Sequence, residues 1–251
     1  MAFVYILVAA ILAFLVGLGL LRINLSRKAS FEGIEDKDVA AAYDCISAWP
    51  QFRLLRRMII RQLISYRPSG ILADIGCGPG RLIALIAHRF PQIKIVGIDA
   101  AQAMVETTRR RAVADGILSR AEFRVGDVGH LPMEKDSIDF AISTLSLHHW
   151  SNPSLGLEEI YRVLKPGGQL LLFDFRRDSR RFFYWLMHFA QAVVVPFALR
   201  NINEPIGSLL ASYSVSELKD LLRQTAFREW RITEGTAWAY IWARKGLIEA
   251  V

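Results

Sequence analysis

Short apolar runs alternate with segments of helical periodicity over residues 71–175, and this alternation constrains the fold more than any other feature of the chain. The predicted strands cover residues 71–75, 94–98, 121–125, 138–144 and 169–175. The predicted helices between them cover 81–89, 101–115 and 155–164. Such alternation predicts a parallel sheet covered by helices on both faces. A helix over 216–224 and two closely spaced strands over 230–233 and 237–243 follow, so we predict a doubly wound α/β fold that ends in a hairpin.

A glycine-rich loop closes the first predicted strand, in the segment Asp74-Ile75-Gly76-Cys77-Gly78-Pro79-Gly80. Glycines let the backbone turn sharply and approach a ligand closely, and ligands of open α/β sheets bind beyond the carboxyl ends of the strands. The spacing here is G-x-G-x-G, whereas the dinucleotide fingerprint is G-x-G-x-x-G. Asp74 would repel a pyrophosphate, but it suits a ligand that carries an ammonium and a sulfonium.

Carboxylates also follow the second and third predicted strands. Asp99 ends the second strand, where a carboxylate can accept hydrogen bonds from both hydroxyls of a ribose. Asp127 follows the third strand and can accept from an adenine amino group, while the backbone N–H of Val128 can serve a ring nitrogen. The alternative is that Asp74 and Asp99 cap helices or turns and that Asp127 belongs to an ordinary turn.

Taken in order, these motifs resemble the class I S-adenosylmethionine-dependent methyltransferases. They are most similar to the broad group that contains the quinone C-methyltransferases of ubiquinone and menaquinone biosynthesis. The matching segments are Asp74 to Gly80, Asp99, Gly126-Asp127 with Leu131-Pro132, Asp139-Phe140-Ala141, and Val163-Leu164-Lys165-Pro166-Gly167-Gly168. The resemblance implies a seven-stranded, mostly parallel Rossmann-like sheet with its last strand antiparallel, and S-adenosylmethionine as the cofactor.

The resemblance also implies roles for single residues. Gly76, Gly78 and Gly80 would shape the pocket for the methionine part of the cofactor, while Asp99 would bind the ribose and Asp127 the adenine. The pair Tyr43-Asp44 is similar to the family's Tyr-Asp pair that helps to close the cofactor site. The complete predicted cofactor-binding set is Tyr43, Asp74, Gly76, Cys77, Gly78, Gly80, Asp99, Ala100, Asp127, Val128 and Thr144.

Two histidines after the fourth strand are the predicted catalytic residues. Methyl transfer from a sulfonium needs alignment of the nucleophile, and it needs a base only when the nucleophile carries a proton. His149 and then His148 are the best candidates, because the turn after this strand should face the sulfonium and histidine titrates near neutrality. The alternative is that one histidine caps the turn and the other packs under a tryptophan. Asp174 is a weaker candidate, for which an ion pair with a following arginine is the expected role.

The first 21 residues predict a membrane anchor. Residues 2–21 are all apolar or glycine, which is about the length that crosses a bilayer core. Arg22, Arg27 and Lys28 follow them, so the positive-inside bias predicts a single-pass anchor with a cytoplasmic catalytic domain. We therefore expect an anchor at 1–21, a juxtamembrane linker at 22–37 and a methyltransferase domain at 38–251.

Residues 176–212 form a long apolar insertion in this domain. Four arginines precede an aromatic cluster and the apolar stretch 186–199. Arginine and aromatic residues at the edge of an apolar stretch are typical of an interfacial or re-entrant element. The alternative is a lid that packs on the sheet and never contacts lipid. Either element would supply a large apolar wall for a substrate.

Charge and cysteine content narrow the possible partners. The net charge is +7, but the basic residues cluster beside apolar stretches, which favours a membrane surface over nucleic acid. Two cysteines permit neither a disulfide framework nor a zinc-type spacing, and no metal is predicted. We expect methyl transfer to a small lipophilic acceptor such as a quinone precursor or a phospholipid headgroup. The alternatives are a soluble acceptor or a non-catalytic protein that binds S-adenosylmethionine, and the oligomeric state stays open.

Overall fold

A computed structural model describes residues 1–23, 25–29 and 36–247, so residues 24 and 30–35 of the predicted linker and residues 248–251 lie outside the described residues. The strands of the described part are β1 (Ile71–Ile75), β2 (Lys94–Asp99), β3 (Ala121–Val125), β4 (Ile138–Thr144), β5 (Leu164–Phe175), β6 (Glu229–Glu234) and β7 (Trp238–Arg244). Its helices are α1 (Ala2–Leu20), α2 (Lys37–Ser47), α3 (Pro50–Tyr66), α4 (Arg81–Arg89), α5 (Gln102–Ala114), α6 (Pro153–Val163), α7 (Arg181–Val193), α8 (Phe197–Asn201), α9 (Ile206–Ala211) and α10 (Val215–Arg223).

The strands form one sheet in the order β3-β2-β1-β4-β5-β7-β6. The first five strands pair in parallel, and β7 runs antiparallel to both β5 and β6. The strand order reverses between β1 and β4, and the crevice at such a reversal is where open α/β sheets bind ligands. The prediction of a seven-stranded, mostly parallel, doubly wound sheet with an antiparallel last strand is confirmed.

Helices cover both faces of the sheet. On one face α6 and α10 bury leucines such as Leu157 and Leu218, and on the other α3, α4 and α5 bury Leu63, Ile86 and Val105. Each such side chain stabilises the fold by about 1.5–3 kcal/mol through the apolar area removed from water. Because the central strands are buried on both faces, their sequences are nearly continuous apolar runs.

Two helices, α2 and α3, precede β1 and are separated just before Pro50. Helix α2 is capped by Asp36, whose carboxylate accepts hydrogen bonds from the backbone N–H groups of Asp38 and Val39. Helix α3 begins at Pro50, the first helical position, where the missing N–H of proline has no intrahelical partner to lose. The break between the two helices separates α3 from α2, and α2 lies beside the glycine loop at the carboxyl end of β1.

The predicted transmembrane anchor is wrong. Nowhere in the described ranges does a helix combine the length and the apolar character that crossing a bilayer requires. Helix α1 has 19 residues, which at 1.5 Å per residue is about 28 Å, against a hydrocarbon core of about 30 Å. Its last turn packs on α7, where a Cβ on Gly19 would lie 3.4 Å from Phe182 and 3.5 Å from Trp185. The predicted single-pass membrane localisation is therefore wrong as well. The predicted cytoplasmic orientation and the predicted bilayer partner both depended on this anchor, so they are no longer supported.

The described residues after α1 are fastened to the insertion. A β-bridge joins Arg22 to Arg180, and the N–H of Lys28 donates to the carbonyl of Leu210 at 3.0 Å. The guanidinium of Arg177 is buried and donates to the carbonyl of Leu25 at 2.6 Å. The described residues of this segment thus lie against the insertion and are held there by hydrogen bonds of the backbone and of arginine side chains.

Candidate active site

The glycine loop between β1 and α4 is compressed against its neighbours. Gly76, Gly78 and Gly80 all have positive φ, at 72°, 54° and 75°. A Cβ on Gly76 would lie 2.4 Å from the hydroxyl oxygen of Ser146, and one on Gly80 would lie 2.5 Å from Thr108. These two contacts exclude any side chain at either glycine. The loop can therefore approach a ligand with its backbone alone.

Asp99 holds the loop from the end of β2. One carboxylate oxygen accepts the N–H of Gly78 at 2.8 Å, and the other accepts the N–H of Ala101 at 3.0 Å. Burial raises the pKa of Asp99, and these two hydrogen bonds act against that rise. Asp99 is half-buried and its neighbour Ala100 is exposed. A carboxylate at the rim of the crevice can accept further hydrogen bonds from vicinal hydroxyls, as the ribose role requires.

Asp74 is the deeper of the two carboxylates. It is 1% exposed, and its Oδ1 has no hydrogen-bond partner among the described residues. Burial, followed by the charge of Asp99, raises the pKa of Asp74 to about 7. A buried carboxylate oxygen without a partner is costly, and an ammonium group bound at this loop would satisfy it. These residues therefore fit S-adenosylmethionine, whose methionine part carries an ammonium.

Cys77 occupies a structural position in the same loop. Its side chain is buried, and burial is the main cause that raises the pKa of its thiol well above the usual value. Its backbone N–H donates to the carbonyl of Ile98 at 3.0 Å. Cys77 thus contributes its backbone to the loop and keeps an inert thiol.

Helix α2 is clamped over the loop. Tyr43 lies with its ring edge 3.9 Å from the position of a Cβ on Gly78. The neighbouring carboxylate of Asp44 pairs with Arg81 of α4 at 2.9 Å and with Arg111 of α5 at 3.0 Å. Because these pairs join α2 to both helices beside the loop, Tyr43 is held where it can close the cofactor site.

The remaining predicted cofactor residues lie at the same edge of the sheet. Asp127 is exposed and its Oδ1 accepts the N–H of Gly129 at 2.7 Å, which is ordinary turn chemistry. Val128 is half-buried in this turn, and Thr144 is the half-buried last residue of β4. The structure brings them to the carboxyl ends of β3 and β4, beside the loop.

The two histidines lie in a short turn after β4, where Asp174 at the end of β5 contacts one of them. Nδ1 of His148 lies 2.7 Å from Oδ1 of Asp174, and the backbone N–H of His148 donates to Oδ2 at 2.9 Å. The ring of His149 lies against that of His148, with centroids 4.0 Å apart. Burial, and secondly the neighbouring His148, lowers the pKa of His149 to about 2. His149 is therefore neutral at any physiological pH.

Within the described residues, Asp174 does not form the ion pair that was expected with a following arginine. Arg176 pairs with Asp178 and Glu234, both within 2.8 Å, while Arg177 pairs with Glu217 at 2.6 Å. Sequence reasoning missed the contact between Asp174 and His148, which join through the pairing of β4 with β5. The available signal was that Asp174 ends one strand and His148 follows the adjacent parallel strand, at the same edge of the sheet.

The lining of an apolar cavity of about 470 Å³ includes both histidines and Tyr43. Helices α2 and α3 form one wall and α7 to α9 of the insertion form another. Large apolar side chains dominate the lining, among them Trp49, Phe52, Leu55, Phe175, Phe183 and Met187. The polar members of the described lining include Tyr43, Gln51, His148, His149, Glu204 and Ser208. Sequence reasoning missed Glu204, because nothing local marks it.

Comparison with known proteins gives a consistent result. Residues 73–172 match the family described as "Methyltransferase domain". The ubiquinone/menaquinone biosynthesis C-methyltransferase UbiE of Geotalea daltonii is 31% identical over 70% of this chain and 73% of its own length. The demethylmenaquinone methyltransferase of Porphyromonas gingivalis is 28% identical over 76% of this chain and 82% of its own length.

Solved structures agree on the fold. An S-adenosylmethionine-dependent methyltransferase from Aquifex aeolicus superposes with a TM-score of 0.58 at 20% identity, over 73% of this chain and 87% of that chain. The plantazolicin methyltransferase BpumL, solved with a substrate analogue and S-adenosylhomocysteine, has a TM-score of 0.64 at 17% identity, over 85% of this chain and 93% of that chain. At these identities the likeness concerns the fold.

Proposed function

We propose that this chain methylates a lipophilic aromatic acceptor of the quinone-precursor kind. The chain belongs to the class I S-adenosylmethionine-dependent methyltransferases, near the ubiquinone/menaquinone C-methyltransferases. The observation that carries this proposal is the apolar cavity of about 470 Å³, which lies between helices α2 and α3 on one side and the insertion on the other, with Tyr43 and His148 in its lining. A cavity with aromatic walls and few polar groups favours a flat apolar ligand. Two relatives named for ubiquinone or menaquinone methylation support the same acceptor class.

The cofactor residues orient the donor. S-adenosylmethionine supplies a methyl group that its sulfonium has already activated for in-line displacement. Asp74 would pair with the ammonium, and Asp99 would accept the ribose hydroxyls beside the loop it already holds. Tyr43 would cover the loop and exclude water, since α2 is clamped by Asp44. Asp127, Val128 and Thr144 would border the adenine side.

His148 would remove a proton from the acceptor. Donation from its Nδ1 to Asp174 selects the tautomer in which Nε2 is the basic nitrogen, and the carboxylate stabilises the protonated ring. A hydroxyl proton that moves to Nε2 leaves negative charge that spreads into the aromatic ring and makes a ring carbon nucleophilic. The order predicted from sequence placed His149 first, but a pKa of about 2 makes His149 a poor base. We therefore assign His149 to packing against His148.

Residues 176–212 would act as the lid of this pocket. Phe183 and Met187 of α7, together with Ser208 of α9, line the cavity on the side opposite α2. Gln191 of α7 donates to the side chain of Asn203 at 3.1 Å and accepts the N–H of Ile206 at 3.3 Å, so the helices of the insertion hold one another. A lid of this kind excludes water from the site of methyl transfer.

The test is direct methylation of model acceptors. Purified full-length protein is incubated with S-adenosylmethionine labelled in the methyl group and with a reduced 2-alkyl-1,4-naphthohydroquinone. We expect labelled product with a ring carbon methylated, while His148→Asn yields little product and still binds S-adenosylhomocysteine. Absence of transfer to any aromatic acceptor, from protein that binds the cofactor normally, would refute the acceptor class.

A further inference from the structure

A second groove lies between helices α3 and α4, which pack beside each other. Its volume is about 430 Å³, and its described lining consists of four basic and two apolar side chains, namely Arg57, Ile60, Arg61, Leu85, His88 and Arg89. The α3 residues that line the apolar cavity, such as Phe52, Leu55 and Met58, are different ones. The groove is therefore separate from the proposed acceptor site.

The arginines of this groove have no acidic partners. Neither α3 nor α4 contains an aspartate or a glutamate. Over the described part of the chain, none of the three groove arginines forms an ion pair or donates a side-chain hydrogen bond. By contrast, Arg81 and Arg111 share the carboxylate of Asp44, and Arg120 donates to three backbone carbonyls. The groove thus presents positive charge that the described residues do not neutralise.

This concentration of charge is unfavourable for helix α3 itself. Arg53, Arg57 and Arg61 follow one another at intervals of four residues, so they lie along one face of the helix. Like charges at this spacing destabilise a helix, and α3 contains no acidic residue that would offset them. An anion bound between the two helices would relieve this repulsion.

We propose that the groove between α3 and α4 binds an organic phosphate that carries an apolar chain. A guanidinium group presents paired donors that match the oxygens of a phosphate, and a phosphate monoester carries about 1.5 to 2 negative charges at pH 7. Arg57 and Arg61 would contact the phosphate from α3, and Arg89 would contact it from α4. The chain would cover Ile60 and the exposed Leu85, which an inorganic anion would leave in water.

Calorimetry on full-length protein tests this site with three probes, each below its micelle concentration. They are octyl phosphate, inorganic phosphate and octyl glucoside, of which the first shares its head group with the second and its chain with the third. S-adenosylhomocysteine is present at saturation, so that the cofactor loop is occupied. We expect octyl phosphate to bind about tenfold or more tighter than either of the other two.

Three variants make the result specific. In the double variant Arg57→Gln with Arg61→Gln, the affinity for octyl phosphate should fall by about tenfold or more, because two charged donors are lost. The matched control is Arg228→Gln with Arg231→Gln, which removes the same charge at exposed positions outside the groove and should bind as the parent does. Leu85→Ala should weaken octyl phosphate and leave inorganic phosphate unchanged. All three should keep the parent affinity for S-adenosylhomocysteine, which checks that they are folded.

Four outcomes would overturn the proposal. Equal losses in the two double variants would show that only the overall charge matters. Unchanged affinity in the Arg57 and Arg61 double variant would place octyl phosphate elsewhere, such as in the apolar cavity. Equal affinities for octyl phosphate and inorganic phosphate would remove the apolar chain from the ligand. If octyl phosphate does not bind, but vesicles of phosphatidic acid sediment the parent and not this double variant, the groove contacts a lipid surface instead. None of these outcomes bears on the proposed methyl transfer, since the groove residues belong to neither of its sites.

Discussion

Asp174 accepts two hydrogen bonds from His148, one from ring Nδ1 at 2.7 Å and one from the backbone N–H at 2.9 Å. Both residues are buried, at 3% exposure each. The double contact fixes the orientation of the imidazole relative to β5, and the lining of the cavity includes the same histidine. This arrangement is what a general base requires, since its geometry must be set before the substrate arrives.

The first prediction concerns this pair. We expect His148→Asn and Asp174→Asn each to lower kcat for an aromatic acceptor by about 10²- to 10⁴-fold, the usual contribution of a positioned base. His149→Asn should cost far less and should leave the pH dependence between pH 5 and 9 unchanged, since His149 is neutral throughout that range. Steady-state kinetics with parallel calorimetry of S-adenosylhomocysteine decide it. A larger loss in His149→Asn than in His148→Asn would reverse the assignment.

The second prediction concerns Asp99. Replacing Asp99 with Ala removes the carboxylate that holds the N–H groups of Gly78 and Ala101 and that would accept the ribose hydroxyls. We expect affinity for S-adenosylhomocysteine to fall by at least about tenfold, because a charged acceptor is lost. Asp115→Ala, at an exposed position after α5, is the matched control and should bind normally. Equal affinities in calorimetry would remove Asp99 from the site.

The third prediction concerns the pH dependence of stability through Asp74, whose folded pKa is raised from 3.8 to about 7. Between about pH 4 and 7 the folded protein holds a proton that the unfolded chain has released. The free energy of unfolding therefore decreases as pH rises through this window, by at most about 1.4 kcal/mol per pH unit. Asp74→Asn should lose this slope and gain stability relative to the parent at pH 8.

Urea denaturation of the ligand-free parent and variant between pH 4 and 8 measures that difference. The same pair of proteins reports on the cofactor. Affinity for S-adenosylhomocysteine should rise from pH 6 to pH 8 in the parent, because an ionised Asp74 attracts the ammonium, and this rise should be absent in Asp74→Asn. Identical pH profiles for both proteins would contradict the raised pKa.

The fourth prediction concerns Arg177, which joins the segment after α1 to the domain. Its buried guanidinium donates to the carbonyls of Leu25 and Ser212 and pairs with Glu217. Arg177→Met should lower the free energy of unfolding by about 2–4 kcal/mol, because buried carbonyls lose their donors and a carboxylate loses its partner. Arg223→Met breaks an exposed pair with Asp220 and should cost less than about 1 kcal/mol. Equal losses in urea denaturation would show that Arg177 contributes no more than a surface arginine.

Local signals in the sequence were sufficient for the sheet and for the cofactor loop. The strands are apolar because both faces of the sheet are buried, and the glycine spacing with Asp74 and Asp99 is set by backbone geometry within a few residues of each strand end. Properties of this kind are written in short windows of sequence, so they could be predicted before any tertiary contact was known.

The sequence alone therefore determined the α/β fold, the motifs that follow successive strands and the identity of the cofactor. Tertiary structure decided that α1 ends in a turn packed on α7, that His148 rather than His149 contacts Asp174, and that Glu204 joins the pocket wall. The physical reason is the same in each case. Hydropathy and residue type record what a side chain prefers, whereas its partner comes from an element many residues away and is chosen by the pairing of strands and the packing of helices.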